Sequence, residues 1–268
     1  MQKKRSRGIL MHVSTLDGDF GCGSFGKEAR AFVDLLHESG YEYWQTLPFG
    51  VPDASGSPYK SFSAFAGNPL FIDLPTLHEN GLLTSSELED EKMRYSRAPH
   101  IYKCDFEALT ESRYALLRDV AARIKTENAS LRASVEAFAE SHPYLDGFCR
   151  YMSEVRTEIL GGVHTGTPTS PADELFFYRF TQYEFFRQWQ EIKKYAGENG
   201  VKIIGDIPIY VDLDSADVWQ NPQYFDLDEN KRPVKVAGVP PDYFSPEGQK
   251  WGNPVYDWDA LEKDGFSW

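Results

Sequence analysis

Carboxylates and aromatic rings are concentrated in one stretch of this chain. Asp206, Asp212, Asp214 and Asp217 follow one another closely, and Asp242 comes soon after. Trp219, Tyr243, Trp251, Tyr256 and Trp258 are interleaved with them. Acidic oxygens accept hydrogen bonds from sugar hydroxyls, and flat rings cover the apolar C–H faces of a sugar, so the mixture suits a carbohydrate site. Each aspartate taken alone reads more readily as a turn former or a helix cap than as a site residue. Their concentration favours a shared site.

An element must hold these groups in place. Residues 201–204 form a short β-branched apolar run between turn formers, too short for a helix, which predicts a fully buried strand. Gly205-Asp206 follows at once, so a carboxylate is presented at the C-terminal end of the strand, where α/β barrels place their chemistry. Earlier, Gly8-Ile9-Leu10-Met11-His12-Val13 predicts a first strand. Phe25, Ala29, Phe32, Val33 and Leu36 fall at helical spacing with Gly40 as the stop, and residues 42–47 predict a second strand ended by Pro48. Strand, helix, strand at this spacing is a βαβ unit with parallel pairing and a right-handed crossover. The Gly-rich stretch between Gly18 and Gly26 has neither a dinucleotide fingerprint nor a Gly-Lys-Ser/Thr ending.

The loop over residues 50–68 carries Ser57-Pro58-Tyr59 and follows a strand end, which puts it on the same face as Asp206. Tyr59 reads either as a core aromatic with a satisfied hydroxyl or as a sugar-stacking ring. Residues 70–171 show helical periodicity and no strand. Thr84-Ser85-Ser86-Glu87 is a capping-box signature, and one helix face runs from Phe106 to Ile124 with Arg113 at its edge. Further helices are expected over 131–138 and 144–160. His100, His142 and His164 read as surface or turn residues. A longer helix opens at Asp173-Glu174 and closes at Lys193-Lys194, with charges that complement its dipole. Its apolar surface is wide enough to pack between the helical segment and the sheet. Beyond Asp217, residues 224–227 and 233–236 flank a turn and predict a hairpin, followed by a long proline-containing loop over 238–254.

Composition narrows the choices. The chain has 268 residues and a net charge of −13, which repels phosphate backbones and anionic lipid. Nucleic acid and membrane are therefore poor partners, whereas a neutral polyol meets no electrostatic conflict. The three cysteines are widely spaced and lack metal-ligand spacing, so no metal and no cofactor is expected, and the thiols suit a reduced, cytoplasmic setting.

Several ordered stretches resemble the glycoside hydrolase group of 4-α-glucanotransferases (amylomaltase, or disproportionating enzyme). They include Arg7-Gly8-Ile9-Leu10-Met11-His12, Trp44-Gln45-Thr46-Leu47-Pro48, Ser57-Pro58-Tyr59-Lys60-Ser61 and Ser63-Ala64-Phe65-Ala66-Gly67-Asn68-Pro69. Later ones are Gly205-Asp206-Ile207-Pro208-Ile209-Tyr210-Val211, Asp214-Ser215-Ala216-Asp217-Val218-Trp219, Gly238-Val239-Pro240-Pro241-Asp242-Tyr243-Phe244-Ser245 and Gly248-Gln249-Lys250-Trp251-Gly252-Asn253-Pro254. One departure is Val13-Ser14-Thr15-Leu16, where the family has Pro-Thr-Ser-Leu.

The resemblance implies a TIM-type barrel with helical insertions. In this reading residues 1–75 are the first βαβ part, 76–172 a helical insertion, and 173–268 the barrel continuation with its covering hairpin and loop. It also implies retaining transfer of α-1,4-glucan segments, through a covalent aspartate intermediate, to the 4-hydroxyl of an acceptor sugar such as glucose or maltose. The two carboxyls of such a site lie about 5–5.5 Å apart. Carried over by motif, Ser57 and Tyr59 contact donor-side glucose, Asp206 and Asp214 lie by the catalytic centre, and Asp242, Trp251 and Asn253 belong to the acceptor-covering loop.

The family's nucleophile lies in an Arg-x-Asp-His motif that residues 1–268 do not contain. The expectation is therefore an incomplete barrel, the N-terminal half of a longer enzyme, with nucleophile and acid/base beyond Trp268 and no turnover by the isolated chain. A non-catalytic glucan-binding relic is the alternative of a different class. An α-amylase-type hydrolase fits the chemistry but not the Ser57-Pro58-Tyr59 and 238–254 motifs.

Overall fold

The computed structural model describes residues 5–52, 56–95, 104–156 and 170–268. Strands β1 (Gly8–Leu10), β2 (Tyr43–Gln45) and β3 (Lys202–Ile204) form a parallel sheet in the order β1-β2-β3. Ile9 pairs with Trp44, and Trp44 with Ile203, so the expected βαβ pairing holds. The crossover helix α1 (Lys27–Glu38) buries Ala29, Phe32, Val33 and Leu36, and packs Phe32 edge-on to the fully buried Trp44 at 5.1 Å. Gly40 adopts φ +69° just past the helix, a conformation that strains any residue with a Cβ, which is why the stop falls there.

Helices α2 (Leu74–Glu79), α3 (Ser85–Tyr95), α4 (Phe106–Glu127), α5 (Ala129–Ser141), α6 (Pro143–Glu154) and α7 (Pro171–Glu198) follow, with no strand among the described residues of that segment. The capping box forms as expected. The Glu87 carboxylate accepts the Thr84 N–H at 2.8 Å, and the Thr84 hydroxyl accepts the Glu87 N–H at 3.2 Å. The end of the helix expected over 144–160 lies outside the described residues, as do His100 and His164. His142 precedes α6 and stacks on Phe138 at 4.2 Å.

Helix α7 touches α4, α5 and α6 as well as α1 and β3, as its wide apolar surface implied. Its buried amides serve the chain beside it. The Gln182 side chain both accepts the Gly67 N–H and donates to the Gly67 carbonyl at 2.8 Å, and Gln188 accepts the Asp73 N–H at 2.7 Å.

Four expectations are corrected. Residues 201–204 were expected to be a fully buried strand, yet Ile204 is 43% exposed. Among the described residues β3 pairs with β2 alone, so no strand is paired to its other edge. Arg113 was expected at a helix edge but is 1% exposed. Its guanidinium is held inside because it donates to the carbonyls of Leu70 (3.4 Å) and Phe20 (3.0 Å), and its Nε faces Glu91 at 3.5 Å. The loop expected over 238–254 is largely an antiparallel hairpin of β4 (Val236–Val239) and β5 (Gln249–Pro254). The earlier hairpin reduces to a single bridge between Leu227 and Pro233 around the expected 228–232 turn. Pro240, Pro241 and Pro246 fall in the tip of the β4–β5 hairpin, where no ladder bond is needed. Gly248 closes that tip at φ +74°, its α-carbon too near the Val239 carbonyl to admit a Cβ.

The chain divides into two compact units. One comprises Met1–Pro48 with Gly67–Asp206, the other Phe49–Ala66 with Ile207–Trp268. The first holds the parallel sheet and the helices through α7. The second holds α8 (Ala216–Gln220), the β4–β5 hairpin and α9 (Trp258–Lys263), around a core of Val211, Val218, Phe225, Tyr256 and Leu261.

Candidate functional site

In the first unit, the C-terminal edge of the sheet gathers three chemical groups. Met11 donates its N–H to Gln45 O and Thr46 to Ile204 O, both at 2.9 Å, so the strand ends run level. His12 follows β1. Its Nδ1 lies 2.7 Å from the Ser14 hydroxyl and its Nε2 lies 3.3 Å from the Pro48 carbonyl, which ties the ends of β1 and β2 together. Burial lowers its pKa, and the Pro48 carbonyl partly opposes that shift. Thr46 is buried just past β2, and its hydroxyl has no hydrogen-bond partner among the described residues. Asp206, two residues past β3, is the last residue of this unit.

The second unit holds the other six residues singled out from the sequence: Ser57, Tyr59, Asp214, Asp242, Trp251 and Asn253. Lys60 donates its N–H to Ser57 O at 3.1 Å, closing a turn that leaves Tyr59 47% exposed. The Lys60 ammonium reaches Asp212 at 3.7 Å, and Asp212 accepts the Asp214 N–H at 3.0 Å. The Ser57–Tyr59–Lys60 turn and the Asp212–Asp214 turn are thus neighbours within one unit. Being partly exposed, the ion pair orients more than it stabilises.

Trp251 on β5 is 46% exposed and meets the Tyr210 ring edge-on at 6.4 Å. Tyr210 stacks on Tyr256 at 6.0 Å and 14°. The Tyr256 hydroxyl donates to Ile209 O at 2.9 Å, so the aromatic row is fastened to the 209–211 backbone. Asn253 is buried, and its amide donates to Val211 O at 2.9 Å. Its role here is to hold the strand that carries Trp251 against that backbone. Asp242 closes the hairpin tip, its Oδ1 accepting the N–H groups of Phe244 (2.9 Å) and Ser245 (2.7 Å). That is the turn-forming use of an aspartate, and it leaves Tyr243 and Phe244 projecting, 95% and 88% exposed.

Two residues of this unit take roles that the sequence did not assign to them individually. Tyr210, which the sequence presented only as part of the 205–211 motif, is the ring that links Trp251 to the core. Asp217 looked like one acidic residue among several and is nearly buried, its Oδ2 accepting the Ala64 N–H at 3.0 Å. Burial without a cation raises its pKa to about 6. Ser215, whose hydroxyl accepts the Val218 N–H, caps the helix and places Asp217 in its first turn, but local spacing carries no signal for the burial of Asp217.

Among the described residues no group of histidine, cysteine and acidic side chains is placed to hold a metal ion. None of the described helices is long and apolar enough to cross a membrane. The arrangement presents half-exposed rings beside uncharged hydrogen-bonding groups and carboxylates, which is chemistry for a neutral, hydroxyl-rich ligand.

The chain matches the family model described as 4-alpha-glucanotransferase over residues 11–160 and 164–268. It is 41% identical over 290 residues to the 4-alpha-glucanotransferase of Thermus thermophilus, covering 100% of this chain and 55% of that protein. It is 40% identical over 282 residues to the enzyme of the same description from Streptococcus pneumoniae serotype 4, covering 99% of this chain and 55% of that protein. Among solved structures it is similar to an amylomaltase from Streptococcus agalactiae in complex with acarbose. The TM-score is 0.86 at 36% identity, covering 99% of this chain and 56% of that one. The chain spans about half the length of the curated relatives it matches.

Proposed function

Because the chain belongs to the 4-alpha-glucanotransferase family, we propose that it binds α-1,4-glucans and maltooligosaccharides through its second unit. Transfer of glucan segments to the 4-hydroxyl of an acceptor such as glucose or maltose then belongs to a protein that carries both this chain and the Arg-x-Asp-His motif. The observation that carries this reading is the ring row of Trp251, Tyr210 and Tyr256, fastened by Tyr256 and Asn253 to the 209–211 backbone. A ring half open to solvent and fixed by its neighbours loses little side-chain entropy when a sugar face covers it.

Under this proposal the parallel β1-β2-β3 sheet is part of a TIM-type barrel, with residues 1–75 and 173–268 contributing to it and 76–172 inserted. Ser57 and Tyr59 meet donor-side glucose, Asp206 and Asp214 stand by the catalytic centre, and the hairpin bearing Asp242, Trp251 and Asn253 covers the acceptor. Retention by double displacement requires a nucleophile and an acid/base. None of the residues placed here takes either role. Keeping water from the intermediate is the task assigned to the aromatic hairpin. The setting proposed is the cytoplasm.

Incubation of the 268-residue chain with maltotriose tests the assignment of roles. Binding without glucose or longer maltodextrins is the expected result. Disproportionation by the chain alone would overturn it, and release of only glucose and maltose would point to a hydrolase.

A further inference from the structure

The backbone over residues 209–214 is fastened from two sides within the second unit. On one side the Tyr256 hydroxyl donates to Ile209 O and the Asn253 amide donates to Val211 O, both at 2.9 Å, which fixes the strand bearing Trp251. On the other side stands the 57–60 turn with its half-exposed Tyr59 ring. Lys60 carries a side-chain link across, its ammonium 3.7 Å from Asp212 Oδ2. The other oxygen, Asp212 Oδ1, accepts the Asp214 N–H at 3.0 Å. One carboxylate therefore shapes the 212–214 turn and holds the Lys60 ammonium at the same time.

The base of the same loop has supports of its own. Phe62 donates its N–H to Val51 O at 3.0 Å, Ala216 donates to Phe62 O at 2.8 Å, and the buried Ser61 hydroxyl donates to Ser63 O at 2.8 Å. Losing the Lys60–Asp212 contact therefore leaves the base seated and acts on the turn that presents Tyr59. Partly exposed ions contribute little to folding, because side-chain ordering and hydration offset most of their attraction. Their use here is directional: a ring already held in its bound orientation loses less freedom on association and binds more tightly. Both side chains are open to solvent in part, Lys60 at 44% and Asp212 at 22%, so dissolved salt reaches the pair.

We infer that Lys60 and Asp212 are positioning residues that set Tyr59 relative to the strand bearing Trp251, and so favour glucans long enough to cover both rings over short ones. This selection rests on the reading that Tyr59 and Trp251 both meet sugar. The two rings stand at opposite ends of one run of contacts, from the 57–60 turn through Lys60, Asp212 and the Val211 carbonyl to Asn253 on β5. A short sugar that covers one ring gains nothing from their relative placement. A long one gains from each constraint on it. A neutral glucan exchanges no ions on binding, so a dependence of its affinity on ionic strength reports the charges of the protein itself.

Maltoheptaose and maltose are titrated into the 268-residue chain as salt rises from about 10 mM to about 1 M, which shortens the screening length from about 30 Å to about 3 Å. Maltoheptaose affinity is expected to fall about two- to fivefold, the range of an exposed ion pair, while maltose affinity stays flat. Lys60→Met keeps the apolar stem, and Asp212→Asn keeps an oxygen for the Asp214 N–H. Each should show the weaker maltoheptaose affinity at every salt concentration. The double variant should lose no more than either single one, and Lys60→Arg should behave as the native chain. In the ligand-free chain the Tyr59 ring signals, identified by their loss in Tyr59→Phe, should move with salt in the native protein and stay fixed in Lys60→Met and Asp212→Asn. Tyr59 signals or a maltoheptaose affinity unchanged by both substitutions overturn the inference, and so does an equal loss for maltose. If the Tyr59 signals follow the pair while maltoheptaose binds at no salt concentration, the positioning is supported and the sugar reading is what fails.

Discussion

Asn253 donates its side-chain amide to the carbonyl of Val211 at 2.9 Å, across a sequence separation of 42 residues. This bond joins the strand bearing Trp251 to the loop bearing Tyr210, and both groups are buried away from competing water. Asn253→Ala leaves the Val211 carbonyl unsatisfied, which costs about 1–3 kcal/mol. The expected outcome is a lower urea midpoint together with weaker maltoheptaose binding. Asn253→Asp is expected to be worse for stability, since its carboxylate offers an acceptor where a donor is required.

Two displaced groups give opposite pH slopes in the two units. Burial depresses the pKa of His12, so the unfolded chain binds its proton more tightly. Its contribution is present above the ordinary value near 6.5 and is lost as pH falls below it. Asp217 is raised to about 6, so its contribution is complete below about 4 and is lost as pH rises through 6. About two pK units correspond to about 3 kcal/mol. Hydrogen exchange resolved by residue should show the amides around His12 losing protection in acid, and the 62–66 amides losing it toward neutral pH. His12→Gln should flatten the first profile and leave the second unchanged.

Thr46 carries a buried hydroxyl with no partner among the described residues. Thr46→Val removes that group at nearly constant volume, and a buried hydroxyl left unsatisfied costs about 1–3 kcal/mol. Thermal unfolding of Thr46→Val should therefore occur at higher temperature than that of the native chain. An unchanged or lower midpoint would indicate that another group satisfies the hydroxyl.

The sequence carried the parallel sheet clearly, because the short apolar runs at 8–13 and 201–204, the 3.6-residue spacing of α1 and the Gly40 stop all point the same way. The Thr84–Glu87 capping box was legible for the same reason, being local chemistry at fixed spacing. The β4–β5 hairpin was not, since Pro240, Pro241 and Pro246 read as loop formers and only their position in the tip reconciles them with pairing. Arg113 read as an edge residue because its partners, Phe20, Leu70 and Glu91, are remote in sequence. Asp217 was hidden likewise: nothing in Asp214-Ser215-Ala216-Asp217 says that the Ala64 N–H will be brought to it. The clustering of rings and carboxylates was readable from their order along the chain, whereas the division of labour among them needed distances.

Indole N–H signals during a maltoheptaose titration of the intact chain test most directly whether the second unit receives glucan. Trp251 is half-exposed on β5, while Trp44 is fully buried between α1 and the sheet. The expected result is a saturable shift of the Trp251 signal, with the Trp44 signal unmoved and the Trp251 shift reduced in Tyr59→Ala. A Trp251 signal that stays fixed up to millimolar maltoheptaose, or one that moves only together with Trp44, would contradict the account.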